Sequence, residues 1–201
     1  MITSLLNIEG FVKITDANTK EVLLDKKNAI HFENLSEALA RSIANRSIGR
    51  IFAMAFGNGG TTVDASGNLA YLPSNTIGQA ADLYNQTYQK VVDDNSAANV
   101  DPIRNKLTVV HTPGKLYTDI VVSCLLDFGE PLGQQAFDNA TDTDGEFVFD
   151  ELGLKVIDDS LDNLKLITHV VFHPIQKSLN RQIQIDYTVR IQTLTALSSN
   201  A

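Results

Sequence analysis

Asn28–Gly60 reads NAIHFENLSEALARSIANRSIGRIFAMAFGNGG. The apolar period changes once within it, and that change sets the fold class. Asn34 is a good helix N-cap, and Glu37 three positions on completes a capping-box pattern. Leu35, Ala38, Leu39, Ser42 and Ile43 then share one face at helical spacing, with Glu37, Arg41 and Asn45 turned away. Asn45 and Gly49 are stop signals. From Arg50 the period becomes two: Phe52, Met54 and Phe56 alternate with Ile51, Ala53 and Ala55. One strand face carries bulk and the other small groups, which predicts the helix packed closely on the small side. Gly57-Asn58-Gly59-Gly60 ends the strand.

On the N-terminal side, Val12 and Ile14 alternate with Lys13 and Thr15. Asp16-Ala17-Asn18-Thr19 supplies turn chemistry, and Val22 and Leu24 resume the alternation, so residues 8–24 read as a hairpin. On the C-terminal side, residues 61–105 are polar and turn-rich, with Leu83–Val92 open to strand or short helix. A loop region this long is unusual unless it has work to do, and it reads as an extended arm suited to reaching a neighbour. Lys106–His111 and Tyr117–Phe128 flank a Thr112-Pro113-Gly114 turn. Thr118, Ile120, Val122, Cys124, Leu126 and Phe128 form one side of the second strand, and Val121 and Leu125 on the other make it central. Ile183, Ile185, Tyr187, Val189 and Ile191 alternate strictly with polar residues, the pattern of a half-buried antiparallel strand. The expectation is an α+β fold, mainly antiparallel β-sheet or sandwich, with one principal N-terminal helix. Residues 1–201 read as a single domain with 61–105 as its long polar loop arm.

Sixteen basic against 24 acidic residues give a formal charge of −8, which repels nucleic acid unless positive charge is concentrated. Arg41, Arg46 and Arg50 beside one helix, with Glu37 among them, read as a solvated face. No apolar run is long enough to span a bilayer, and MITSLLNIEGF lacks the regions of a signal peptide. Neither membrane nor nucleic acid is expected as a partner. The single Cys124 excludes an internal disulfide and a cysteine-based zinc cluster, and reads as a buried inert thiol.

The candidates for chemistry are few. Gly57–Gly60 lacks the G-x-G-x-x-G pattern and a following Lys-Ser/Thr, so it reads as a turn rather than a phosphate cradle. Taking Ala140 as position 1 puts Asp142, Asp144, Gly145 and Glu151 close to EF-hand spacing, but position 1 is not a carboxylate. The Asp138–Glu146 loop reads first as a polar turn, with an irregular cation site as the alternative. His169 and His173 lie on a strand about 13 Å apart, too far for one metal. The other two histidines are His31 and His111. Asp93-Asp94 and Asp158-Asp159 read as solvated turn residues. Ser66 lacks the strand-to-helix context of a hydrolase nucleophile. No catalytic, cofactor or metal residue is assigned, and no enzyme is expected.

A short hairpin, a capped helix, a strand ending in Ala53-Met54-Ala55-Phe56-Gly57-Asn58-Gly59-Gly60, a polar excursion and an aromatic strand running into Glu151-Leu152-Gly153-Leu154 resemble tailed-bacteriophage virion proteins. The likeness is to the N-terminal attachment domains of tail fibres and to baseplate or collar proteins. It spans residues 28–60 and 115–192. The resemblance implies a non-enzymatic structural component of the tail, baseplate or collar, packing with itself as a homo-oligomer and with other virion proteins. A fibre would continue into a shaft and receptor-binding tip, so the implied part is an adaptor or attachment component, assembled in the host cytoplasm. A capsid decoration (cement) protein is the alternative within that class. From other classes stand a carbohydrate- or cation-binding β-domain, with Tyr71, Tyr84 and Tyr88 as its only aromatic cluster, and a hydrolase on a β scaffold.

Overall fold

The computed structural model describes residues 3–131 and 146–196. The elements are β1 (Thr3–Asp16), β2 (Val22–Ile30), α1 (Phe32–Ile43), β3 (Ile51–Gly57), β4 (Thr61–Val63), β5 (Leu69–Tyr71), β6 (Gln86–Val91), β7 (Lys106–His111), β8 (Tyr117–Leu126), β9 (Glu146–Ser160), β10 (Asn163–Leu166), β11 (Thr168–Ser178) and β12 (Ile183–Ala196). The main sheet runs β6-β3-β9-β11-β2-β1-β12-β8-β7, with β10 beside β9, and β4–β5 form a separate small hairpin. Its pairings are antiparallel. The fold is α+β, a half-barrel with one helix among the described residues.

The sheet bends at one weak joint. β2 pairs with β1 over Gly10–Thr15, then leaves it and meets β11 only through Ile30–Thr168 and Ala29–His169. The two halves therefore curl toward each other and bury their facing side chains together. Phe56, Phe147, Phe149 and Phe172 from one half share a core with Val12, Ile14, Val122, Cys124, Ile185 and Tyr187 from the other. Phe149 is its hub: Phe56 meets it edge-on at 5.4 Å, Phe172 at 5.7 Å, and Phe147 stacks on it. Such aromatic pairs add about 0.5–1.5 kcal/mol each beyond area burial.

The alternation of β12 is realised: Ile183, Ile185, Tyr187 and Val189 are buried while the residues between them are partly exposed. The β1–β2 and β7–β8 hairpins also form. Four local expectations are corrected. The helix begins earlier than its capping-box pattern, because His31 is the N-cap and its Nδ1 accepts the Asn34 amide at 3.2 Å. Asn34 is instead buried inside the first turn, donating to the Leu166 carbonyl at 2.9 Å. Ile43, expected on the apolar face, is 85% exposed at the last helical residue. A bulge in β3 between Ile51 and Ala53 takes Phe52 off the bulky face and packs it with Ala53 and Ile157. The small face is covered by Leu83 and Leu166 at Ala55, whereas Leu35 and Ala38 of the helix join Met54 and Phe56 in the main core. A charge network fixes the helix laterally: Arg41 bonds Glu37 and Asp158, and Lys165 bonds the same two carboxylates at 3.0 Å.

Residues 61–105 carry β4, β5 and β6, and bury Leu83, Lys90, Val92, Asp93, Asn99 and Asn105. Outside those strands the segment is turn and loop, with these buried side chains tying it to the body of the fold. β8 likewise lies between β12 and edge strand β7, with Phe128 more than half exposed beyond its end.

At the β1–β2 turn, Asp16 accepts the Asn18 and Thr19 amides at 3.0 and 2.9 Å and Arg181 Nε at 2.7 Å. The Thr19 amide first, then Arg181, lowers its carboxyl from 3.8 to about 2. The unfolded chain therefore takes up this proton first on acidification, so the contribution is complete above pH 3.8 and lost as pH falls through 2. Asp16→Asn should cost about 1–2 kcal/mol at neutral pH. Urea unfolding at a series of pH values should show the difference between variant and parent shrinking over this acid range.

Candidate functional site

β9 brings Asp150 and Glu151 side by side into the interior, where Asp150 is nearly and Glu151 fully buried. A buried carboxylate is tolerated only if donors replace the water it gives up. Glu151 has four. Its Oε1 accepts the amides of Gly59 at 3.1 Å and Asn85 at 2.8 Å; its Oε2 accepts the Tyr84 amide and His169 Nε2, both at 2.9 Å. Burial alone raises this carboxyl, but the His169 bond and the two loop amides outweigh it and hold it below the usual glutamate value. Asp150 Oδ1 accepts the Gly60 amide at 2.9 Å, and its Oδ2 accepts the Thr61 amide at 2.9 Å and the Thr61 hydroxyl. Here burial prevails and the carboxyl is raised.

His169 is oriented from behind. Its Nδ1 accepts the Asn75 amide at 2.7 Å, so Nε2 carries the proton that it donates to Glu151. The Tyr84 ring lies against the imidazole at 5.7 Å. The polar excursion after β3 is thus tied to β9 and β11 at its start, its middle and its end. Glycine is required at two points: a Cβ at Gly57 would lie 2.5 Å from both the Asn85 carbonyl oxygen and Glu151 Oε1, and one at Gly153 would lie 2.2 Å from the Thr168 carbonyl oxygen. A carboxylate has about four acceptor positions, and those of Glu151 are filled by the chain itself. Both nitrogens of His169 are used as well. Chemically, Glu151 and His169 form a clamp that fixes a loop.

The other sequence candidates are scattered. His31 caps the helix and its Nε2 reaches the Gly78 carbonyl at 2.9 Å. His111 bonds the Thr118 hydroxyl, and His173 meets the Tyr71 hydroxyl at 3.2 Å. Asp93 is buried rather than solvated, pairing with Arg50 at 2.8 Å, and Asp158 belongs to the helix network. Residues 138–145 of the acidic loop lie outside the described residues, and Glu151, its twelfth position, belongs to the clamp. Among the described residues no group of three or more His, Cys, Asp or Glu side chains is placed to hold a metal ion. Burial pushes the Cys124 thiol up to about 12. Tyr88 packs on Phe56 and Phe147 in the core, apart from the exposed Tyr71 and Tyr84.

Three buried lysines escaped the sequence reading. Lys177 donates to the carbonyls of Asp127, Glu130 and Ser178 at 2.7–2.9 Å, and burial lowers it to about 8. Lys90 donates to the Leu125 carbonyl at 2.7 Å and to Glu130, and Lys155 bonds Asp82 at 2.6 Å. A signal was present: Lys177 shares strand parity with Ile175, Lys90 with Val92 and Lys155 with Ile157, all three buried.

Glu151→Gln places an amide NH₂ among four donors and should cost about 3–5 kcal/mol. Denaturant unfolding measures it. His169→Ala should cost less, about 1–3 kcal/mol, since it removes one donor of four. Because Glu151 titrates lower folded than unfolded, its contribution is present above the unfolded value and fades as the pH drops through the folded one. The glutamine variant should therefore lose part of the acid sensitivity of the parent.

Compared with family models, curated proteins and solved structures, the chain matches none.

Proposed function

We propose that the chain is a non-enzymatic structural subunit of a tailed-phage particle, working in the tail, baseplate or collar by packing against copies of itself and neighbouring virion proteins. The support is spatial. Two of the motifs in the resemblance, Gly57–Gly60 and Glu151–Leu154, are far apart in sequence yet meet as one unit. Gly57 is the register partner of Glu151, and the Gly59 amide is held by the Glu151 carboxylate. The paired segments thus behave as halves of one scaffold device, and the buried ionic groups around them are spent on fixing loops. A part that serves by shape needs such fixation, because a rigid loop presents its contact surface without an ordering cost on binding.

Immunogold electron microscopy on purified particles, with antibody against the recombinant chain, tests the reading. Gold on the tail or its ends is expected. Gold over the head would move the protein to capsid decoration. Absence of the chain from a blot of denatured particles would overturn the proposal.

A further inference from the structure

The main sheet has two terminal edges, and they are finished differently. Edge strand β6 turns Lys90 across the seam to the Leu125 carbonyl and to Glu130. Edge strand β7, Lys106-Leu107-Thr108-Val109-Val110-His111, has no proline, no bulge and no inward charge to discourage another strand. Val109 is 69% exposed and Val110 nearly half. Both are β-branched residues suited to a paired strand.

Two hydrogen bonds fix which backbone groups of β7 face outward. The Leu125 amide of β8 points toward the β7 side, where it meets Asn105 Oδ1 at 2.8 Å. By alternation Ser123, Val121 and Asp119 point the same way, toward their register partners Lys106, Thr108 and Val110. Leu107, Val109 and His111 must then face away from β8. The Leu107 amide confirms this parity, since it donates to Asp94 Oδ1 at 3.2 Å and not to β8. Among the described residues no strand pairs with this outer edge.

We propose that two copies of the chain pair through β7, antiparallel about a two-fold axis at Val109, making one continuous sheet across a homodimer. This rests on the assembly reading above and names the surface it uses. A perpendicular two-fold keeps inner faces together, so opposed residues must share parity, and centring on Val109 satisfies this. Val109 faces Val109, Leu107 faces His111, Thr108 faces Val110, and Lys106 faces Thr112. No two like charges are opposed. The two Val109 residues exchange both hydrogen bonds. The Leu107 amides stay with Asp94, which limits the pairing to a short ladder. The same union covers Val109 and Val110. On the inner face it continues the wall of a cavity of about 250 Å³ between α1 and the sheet, lined in part by Leu39, Leu107, Val109, Ile120 and Ile191. A second copy fits this edge because the edge is complementary to itself.

Sedimentation equilibrium of the full chain, over about 5 μM to about 1 mM to catch a weak mass-action dimer, should show a species of twice 22.0 kDa. Val109→Pro removes the central outward amide without touching the β8 ladder, and should weaken the dimer at least about tenfold. Asp94→Ala frees the Leu107 amide to donate to His111 of the other copy, and should tighten it. Circular dichroism and the thermal midpoint confirm that each variant is folded. A dimer indifferent to both variants overturns the proposal, since the contact then lies elsewhere. A monomer throughout also overturns it, and if the chain is nevertheless found on particles the assembly reading survives without this interface.

Discussion

A carboxylate carried into a protein interior loses hydration worth several kcal/mol, and only a full set of directed donors offsets that. Glu151 is such a group, and its donors come from three separate stretches: the glycine turn after β3, the Tyr84–Asn85 pair before β6, and His169 on β11. The requirement works in both directions. The carboxylate stays ionised because the loop is in place, and the loop is in place because the carboxylate holds it. Polar residues with little apolar surface to bury acquire a defined path in this way. Asp150 extends the same hold to Gly60 and Thr61.

The half-barrel shows a second use of buried polar groups. Its ends, β6 and β7, do not pair with each other, so backbone groups near the seam need other partners. Lys90 supplies one to the Leu125 carbonyl and Asn105 one to the Leu125 amide. Lys177 does the same for the turn after β8, with three carbonyls around one ammonium. Each lysine reaches the interior on a long aliphatic stem that packs like a hydrophobe. Side chains thus replace the ladder where the sheet stops. Among the described residues, the outer side of β7 is where this replacement is least complete, with Asp94 taking the Leu107 amide alone.

Elements set by periodicity were legible in the sequence. β12, the two hairpins and the existence of α1 follow from spacing alone, because a half-buried strand or helix writes its exposed face into the chain. Elements set by tertiary donors were not. Asn34 looks like an N-cap because its amide group suits that position, yet His31 takes the role and Asn34 turns to the Leu166 carbonyl. Nothing local distinguishes the two. Phe52 leaves its face because of a bulge that depends on β9 and on the Val92 and Asp93 amides that share its carbonyl. Residues 61–105 look free because buried Asp, Asn and Lys are spelled the same way as solvated ones. In the clamp, Gly57–Gly60 and Glu151–Leu154 each stand out in the sequence, but the pairing of a glycine turn with a distant carboxylate is a property of register. The spacing of His169 from His173 raises only the question of a metal, whereas the partner of His169 is a carboxylate on the neighbouring strand.

Amide hydrogen exchange at Gly59, Tyr84 and Asn85, followed residue by residue by NMR, tests most directly whether the buried carboxylate organises the loop. If Glu151 holds these three amides, they exchange as slowly as the core strands, requiring global unfolding to open, and in the Glu151→Gln variant all three become fast together. Fast exchange in the parent chain, at rates typical of surface loops, would contradict the account, because the carboxylate would then be buried without the donors that keep it there.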